Sequence, residues 1–231
     1  MQFTNFIKIL TIIGLCSISC QSLNAKIVIE LLTIPDISDF TPQLLRDIEC
    51  IRELQAANLK TNLSHQMQQS DGFLNYQSTP KKLLTIAHMY GIIVARDQRC
   101  FQCCRKRSNI VGYLLPSTEE FITTLDKEEQ KGAEKMFEQV KQHIEKKYGE
   151  INCCQGAQVC VAAKYRRRGI FKQMYDVFCK ANIRKYRYSY SLIHTENTAA
   201  HADHTKIGFE SIGEMKIGPS VYNILCLPIK K

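Results

Sequence analysis

The chain has 231 residues, of which 45% are apolar and 23% charged, and a formal net charge of +9. That makeup excludes a disordered chain and is enough to bury one or two cores. The positive excess directs attention to phosphates, nucleic acid or anionic membrane surfaces as partners.

Residues 1–25 stand apart from the rest. One basic residue, Lys8, leads into the apolar run ILTIIGLCSI (9–18), which is too short to cross a bilayer as a helix, and a small-residue cut site follows at Ala25. The pattern reads as a secretory leader, with a buried extension of the first strand and a misplaced start codon as the alternatives, and leaves 26–231 as one domain. KIVIELLTI (26–34) is β-branched and predicts a strand ended by Pro35. Thr41 and Pro42 open a helix to residue 60, with Leu44, Ile48, Ile51 and Leu54 on one side. A polar stretch, a short helix in PKKLLTIAHMY (80–90) and a strand in GIIVARD (91–97) follow. NIVGYLL (109–115) predicts the next strand, so the residues between form a long hairpin connection. From 117 to 147 the chain favours one helix with a narrow apolar stripe. AQVCVAA (157–163) predicts a strand buried on both faces, and 169–182 an amphipathic helix. YRYSYSLI (186–193) alternates as a strand, AAHADHTK (199–206) is a short helix stopped before Gly208, and a hairpin closes the chain. The order predicts an α/β (α+β) fold with a mixed sheet.

Nine of the eleven cysteines lie beyond residue 25, an odd number with two vicinal pairs, which points to reduced thiols rather than a disulfide framework. CFQCC (100–104) and Cys153–Cys154 together offer four thiolates to zinc, but nothing in the spacing brings the halves together, and no metal is expected. His194, His201 and His204 read as capping and packing residues rather than ligands.

The charge is concentrated. Between Lys164 and Arg187 nine basic residues face Asp176 alone. The turn KYRRRG (164–169) joins a strand to a helix start, where unpaired amides and the helix dipole bind anions. Gly169 allows close approach of the main chain, and Arg166, Arg167 and Arg168 add charge-assisted hydrogen bonds. A wet helix end and a nucleic-acid surface are the competing readings; the alternation of Tyr186, Tyr188 and Tyr190 favours a sheet face over base-stacking aromatics.

Arg166-Arg167-Arg168-Gly169-Ile170-Phe171 resembles the acyl-coenzyme A signature of the GNAT N-acetyltransferase superfamily, Arg/Gln-x-x-Gly-x-Gly/Ala, with Phe171 in place of the final Gly or Ala. HTENTAAHADHTKIGFESIGE (194–214) is similar to the family's later motif, an Asn that opens a helix leading to Lys-x-Gly-Phe. The likeness spans residues 26–229. It implies a mostly antiparallel central sheet flanked by helices and splayed between two strands, with acetyl-CoA as co-substrate in the opening. Val159, Cys160 and Val161 would pair with its pantetheine arm, the 166–171 amides would hold its pyrophosphate, and Asn197 would bind near its sulfur.

The resemblance further implies direct transfer of an acetyl group to a primary amine on a small molecule or protein. His204 stands where many members carry a Tyr that protonates the leaving thiolate, so it is the candidate general acid. A backbone N–H near Val161 would stabilise the oxyanion. Glu119, Glu120 and Glu196 are the candidate bases, none favoured over the others. A CoA-binding module without catalysis, suggested by Phe171 and the missing Tyr, is the alternative, and a basic nucleic-acid-binding protein a further one. The cofactor and the free thiols favour the cytoplasm over export.

Overall fold

The computed structural model describes residues 26–36, 40–98 and 109–229; the leader and the Cys100–Cys104 segment lie outside the described residues. The β-branched and apolar stretches form strands β1 (Ile27–Leu32), β2 (Ile92–Asp97), β3 (Ile110–Ser117), β4 (Cys153–Val161), β5 (Tyr188–His194), β6 (Glu210–Ile217) and β7 (Ser220–Pro228). They make a seven-stranded sheet in the order β1-β2-β3-β4-β5-β7-β6. Every pairing is antiparallel except that of β4 with β5. This is the mixed, mostly antiparallel sheet that the sequence predicts.

Helix α1 (Pro42–Ala57) begins as expected, with the Thr41 side chain accepting from the Leu44 N–H and Pro42 in the first turn. A short α2 (His65–Asp71), capped by Ser64, occupies the stretch read as polar connection; none of its residues is buried, so no apolar period marks it. α3 (Pro80–Met89) follows. The segment expected to be one helix from 117 to 147 is two, α4 (Glu119–Ile122) and α5 (Lys127–Tyr148), because the Asp126 carboxylate accepts from the Glu129 N–H and starts a new helix. α6 (Ile170–Asn182) and α7 (Thr198–Lys206) complete the set among the described residues. Strand β4 starts at Cys153 rather than Ala157. The vicinal cysteines are buried strand residues opposite Tyr188 and Ser189, small hydrophobes rather than loop ligands.

Side-chain alternation sorts the helices onto two faces. On one face, α1 and α3 bury Ile48, Ile51, Leu83 and Ala87 against Ile92, Val94, Tyr113 and Leu115. Farther across that face, α5 sets Phe137, Val140 and Ile144 on Cys153, Tyr190, Ile224 and Cys226. On the opposite face, α6 packs Ile170, Met174 and Phe178 on Ile93, Leu114, Cys154 and Leu225.

The sheet opens in its middle. Pairing of β4 with β5 stops at Gln155–Tyr190, whereas β4 stays with β3 as far as Val161 and β5 stays with β7 as far as His194. A register shift at Leu115/Pro116 leaves Ala157 without a partner on β3, a bulge where the two strands part. At the vertex the Ser191 hydroxyl donates to Gly156 O at 3.0 Å, and the Tyr175 hydroxyl lies 3.2 Å from Ser191 Oγ. A Cβ on Gly156 would stand 2.8 Å from the Tyr175 oxygen. Gly156→Ala therefore costs about 1–3 kcal/mol in denaturant unfolding, and clearly less in a Tyr175→Phe background; equal costs in the two backgrounds would show that this contact does not set the vertex.

Candidate active site

After β4 the chain makes one 3-10 turn (Ala163–Tyr165) and reaches the arginines. The Tyr165 hydroxyl donates to Asp97 Oδ2 at 2.8 Å and pins the turn to the end of β2. Arg167 and Gly169 both take left-handed backbone, φ 60° and 73°, so successive N–H groups converge on one concave side. Gln173 N–H returns to Gly169 O at 3.0 Å, which leaves the Ile170, Phe171 and Lys172 amides ahead of it with no carbonyl behind them. These free amides lie at the turn where the sequence leads one to expect an anion seat. Glycine is needed at 169 for its conformation rather than for clearance, since the nearest atom to an added Cβ is Gln173 Nε2 at 3.8 Å.

The three arginines divide their work. Arg166 turns inward: its Nε donates to Val161 O at 2.9 Å, it pairs with Asp71 at 2.9 Å, and it donates to Asn58 Oδ1. Read from sequence as a cofactor-binding residue, it is in this structure bonded to three protein groups and fastens the turn to them. Arg167 lines the cavity beside the seat. Arg168 lies over the Tyr165 ring at 5.4 Å and is outside the cavity wall.

That cavity, about 950 Å³, passes through the splay from one face of the sheet to the other. On the α6 side it is walled by Arg167, Gly169, Ile170 and Phe171, with Asn197 and His204 across from them. On the α1, α3 and α5 side it is walled by Phe121, Leu125, Met136, Tyr190, Leu192 and Tyr222. Between the two lies the bare edge of β4. Ala162 N–H donates to Val111 O at 2.8 Å, so strand alternation turns the Cys160 N–H toward β3 and those of Val159 and Val161 into the gap. Of the three residues expected to offer backbone there, Val159 and Val161 do so. Cys160 spends its N–H on β3 and buries its thiol, which burial pushes up to about 12, so it is no nucleophile.

No protein-family model and no curated protein matches the sequence. Solved structures do match. Mosquito arylalkylamine N-acetyltransferase like 5b superposes with a TM-score of 0.55 at 10% identity, over 88% of this chain and 100% of that one. Ard1 from Thermoplasma volcanium gives 0.53 at 13% identity over 89% and 99%, and Arabidopsis thaliana NAA60, in complex with acetyl-CoA, 0.53 at 11% over 88% and 99%. The chain has the GNAT fold.

Within the GNAT frame, Phe171 departs from the signature without loss of its amide, because the ring lies back on α6 and α7, 5.0 Å from the rings of both Tyr175 and His204. Asn197 is buried: Nδ2 donates to Phe73 O at 2.9 Å, and Oδ1 accepts from Ala200 N–H at 3.3 Å. It caps α7, holds the 72–74 segment and lines the cavity, with one further N–H on Nδ2 beyond these bonds.

His204 is placed at the expected point but not in the expected state. It is 2% exposed, and desolvation lowers its pKa to about 4. Its Nδ1 lies 2.7 Å from Ala200 O and so carries the proton, which leaves Nε2 to accept from the Tyr175 hydroxyl at 3.1 Å. A neutral imidazole with its proton committed to a carbonyl is a poor donor to a leaving group, so this state does not favour the expected role of general acid. The candidate bases fare no better. Glu119 is held by Lys141 at 2.9 Å and Glu196 by Lys60 at 2.6 Å, and neither these nor Glu120 line the cavity.

Two lining residues were read from sequence only as structural. Tyr190 and His194 share a face of β5 with Leu192 by period two, but only the splay shows that this face is open. The His194 ring sits between Phe73 and Tyr222, and its Nδ1 accepts from the Glu196 N–H at 3.2 Å. Among the described residues no group of three or more His, Cys, Asp or Glu side chains is arranged to hold a metal.

His204 gives stability a pH dependence of definite sign. The unfolded chain takes up its proton near pH 6.5 and the folded chain only near 4, so stability is whole above pH 6.5 and falls as pH drops toward 4, by about 3 kcal/mol in total. Unfolding titrations of the wild type and His204→Gln should differ in slope within that window and run parallel above it.

Proposed function

We propose that the chain is an acetyl-CoA-dependent N-acetyltransferase that moves the acetyl group to a primary amine by direct attack. The observation that carries this reading is the continuity of the anion seat with the bare β4 edge and with a chamber on the far face of the sheet. Acetyl-CoA supplies the activated acyl group. The Ile170, Phe171 and Lys172 amides and Arg167 suit its diphosphate. The Val159 N–H and C=O and the Val161 N–H suit the amides of its arm, and the Val159 N–H, nearer the vertex, is the oxyanion donor this reading favours over Val161. The functional unit is residues 26–231, working in the cytoplasm where the co-substrate is made.

Proton movements follow from the cavity wall. No carboxylate of the far chamber is available as base, and the His194 and His204 lone pairs already accept hydrogen bonds. The amine therefore reacts as its free base and sheds its proton to water. kcat/KM should rise about tenfold per pH unit up to the pKa of the amine itself, with no earlier plateau set by the enzyme. A plateau well below that pKa would assign a base to the protein.

Coenzyme A at 100 times its Kd should stabilise the folded chain by about 2.7 kcal/mol and shift the amide signals of residues 166–172, and Gly169→Val should abolish both effects. Unmoved signals in a folded sample would overturn the reading. A second reading, a module that binds coenzyme A without turnover, is favoured by the state of His204. Amine-dependent release of free thiol separates the two.

A further inference from the structure

The chamber on the α1, α3 and α5 face has a chemistry of its own. Its wall is largely apolar and aromatic, with Phe121, Leu125, Met136, Leu192 and the rings of Tyr190 and Tyr222, and its polar members Ser117, Thr118, Gln155 and Gln158 are uncharged. Two carboxylates touch the cavity, Asp71 of α2 and Asp203 of α7, and each already has a cation, Arg166 and Lys206. Outside the lining, Glu119 is paired with Lys141 and Glu129 with Lys82, so neither offers a free carboxylate. A second ammonium on a substrate would thus enter with no counter-charge, which is strongly unfavourable in an apolar chamber.

Tyr190 points to what does enter. It is 2% exposed and lines the cavity, and no hydrogen bond joins its hydroxyl to another described residue. The hydroxyl oxygen is not sealed in the core but opens on the cavity, where a ligand nitrogen can meet it. Tyr190 stands at the last β4–β5 pair, opposite Gln155, so a group bound to its hydroxyl is held beside the vertex. The aromatic rings provide faces for one ammonium and for a flat hydrocarbon frame.

We infer that the acceptor is a monoamine on an apolar or aryl frame, bound at nitrogen by Tyr190, and that polyamines, diamines and basic peptides are excluded. This rests on the acetyl-transfer reading. The test uses the full chain with acetyl-CoA and measures thiol release with 2-phenylethylamine, hexylamine, 1,4-diaminobutane, spermidine and a lysine-rich peptide, after calorimetry of coenzyme A binding. The expected result is kcat/KM for the two monoamines roughly 100-fold above the others. Tyr190→Phe should raise KM for phenylethylamine about tenfold at unchanged affinity for coenzyme A. Met136→Glu, which places a carboxylate in the chamber, should narrow the preference by favouring the diamine. Equal or better turnover of spermidine or the peptide overturns the inference and leaves the transferase reading intact, as does an unchanged KM in Tyr190→Phe. No binding of coenzyme A, or binding with no turnover of any amine, removes both.

Discussion

Two neighbouring parallel strands that share a register over Cys153–Gln155 and then separate define everything else in this molecule. A sheet normally continues its ladder, since each unpaired amide costs free energy. Here the ladder is ended by a bulge at Ala157 and held at its last rung by Ser191, Gly156 and Tyr175. The result is an internal edge, with donors and acceptors facing the cavity between the two strands. Because β4 is flanked by α6 on one face and by α1 and α3 on the other, the same opening joins two environments, one rich in amides and arginine, the other in hydrocarbon.

The opening is kept from collapsing by a fastened segment. Residues 58–74 are tied at their base by Leu74 N–H to Asn58 O and Lys60 N–H to Leu74 O. From there they reach both banks: Asn58 and Asp71 to Arg166 beside β4, Phe73 to Asn197 and Lys60 to Glu196 beyond β5. Several residues that resemble family ligands by position are spent on this work. Gly72 serves it too, since a Cβ there would stand 2.8 Å from Asn197 Oδ1.

Much of this was legible in the sequence because it depends on local chemistry. Thr41-Pro42 announces α1, the β-branched runs announce strands, and a basic strand–turn–Gly–helix segment announces the start of α6. What was hidden depends on tertiary placement. Nothing in Arg166-Arg167-Arg168 distinguishes the arginine that faces the cavity from the one that faces Asp71. The state of His204 comes from Ala200 and from burial among Phe171, Tyr175 and Phe209, residues scattered over two helices and the approach to a strand. The vicinal cysteines looked like loop chemistry, and α2, with no buried residue, left no period to detect.

Arg166 is where the two halves of the site meet mechanically. Its guanidinium binds a β4 carbonyl, the end of α1 and the end of α2 at once, while its main chain opens the turn that leads into α6. One guanidinium thus holds together the turn and the segment that roofs the opening, and removing it would loosen both at once.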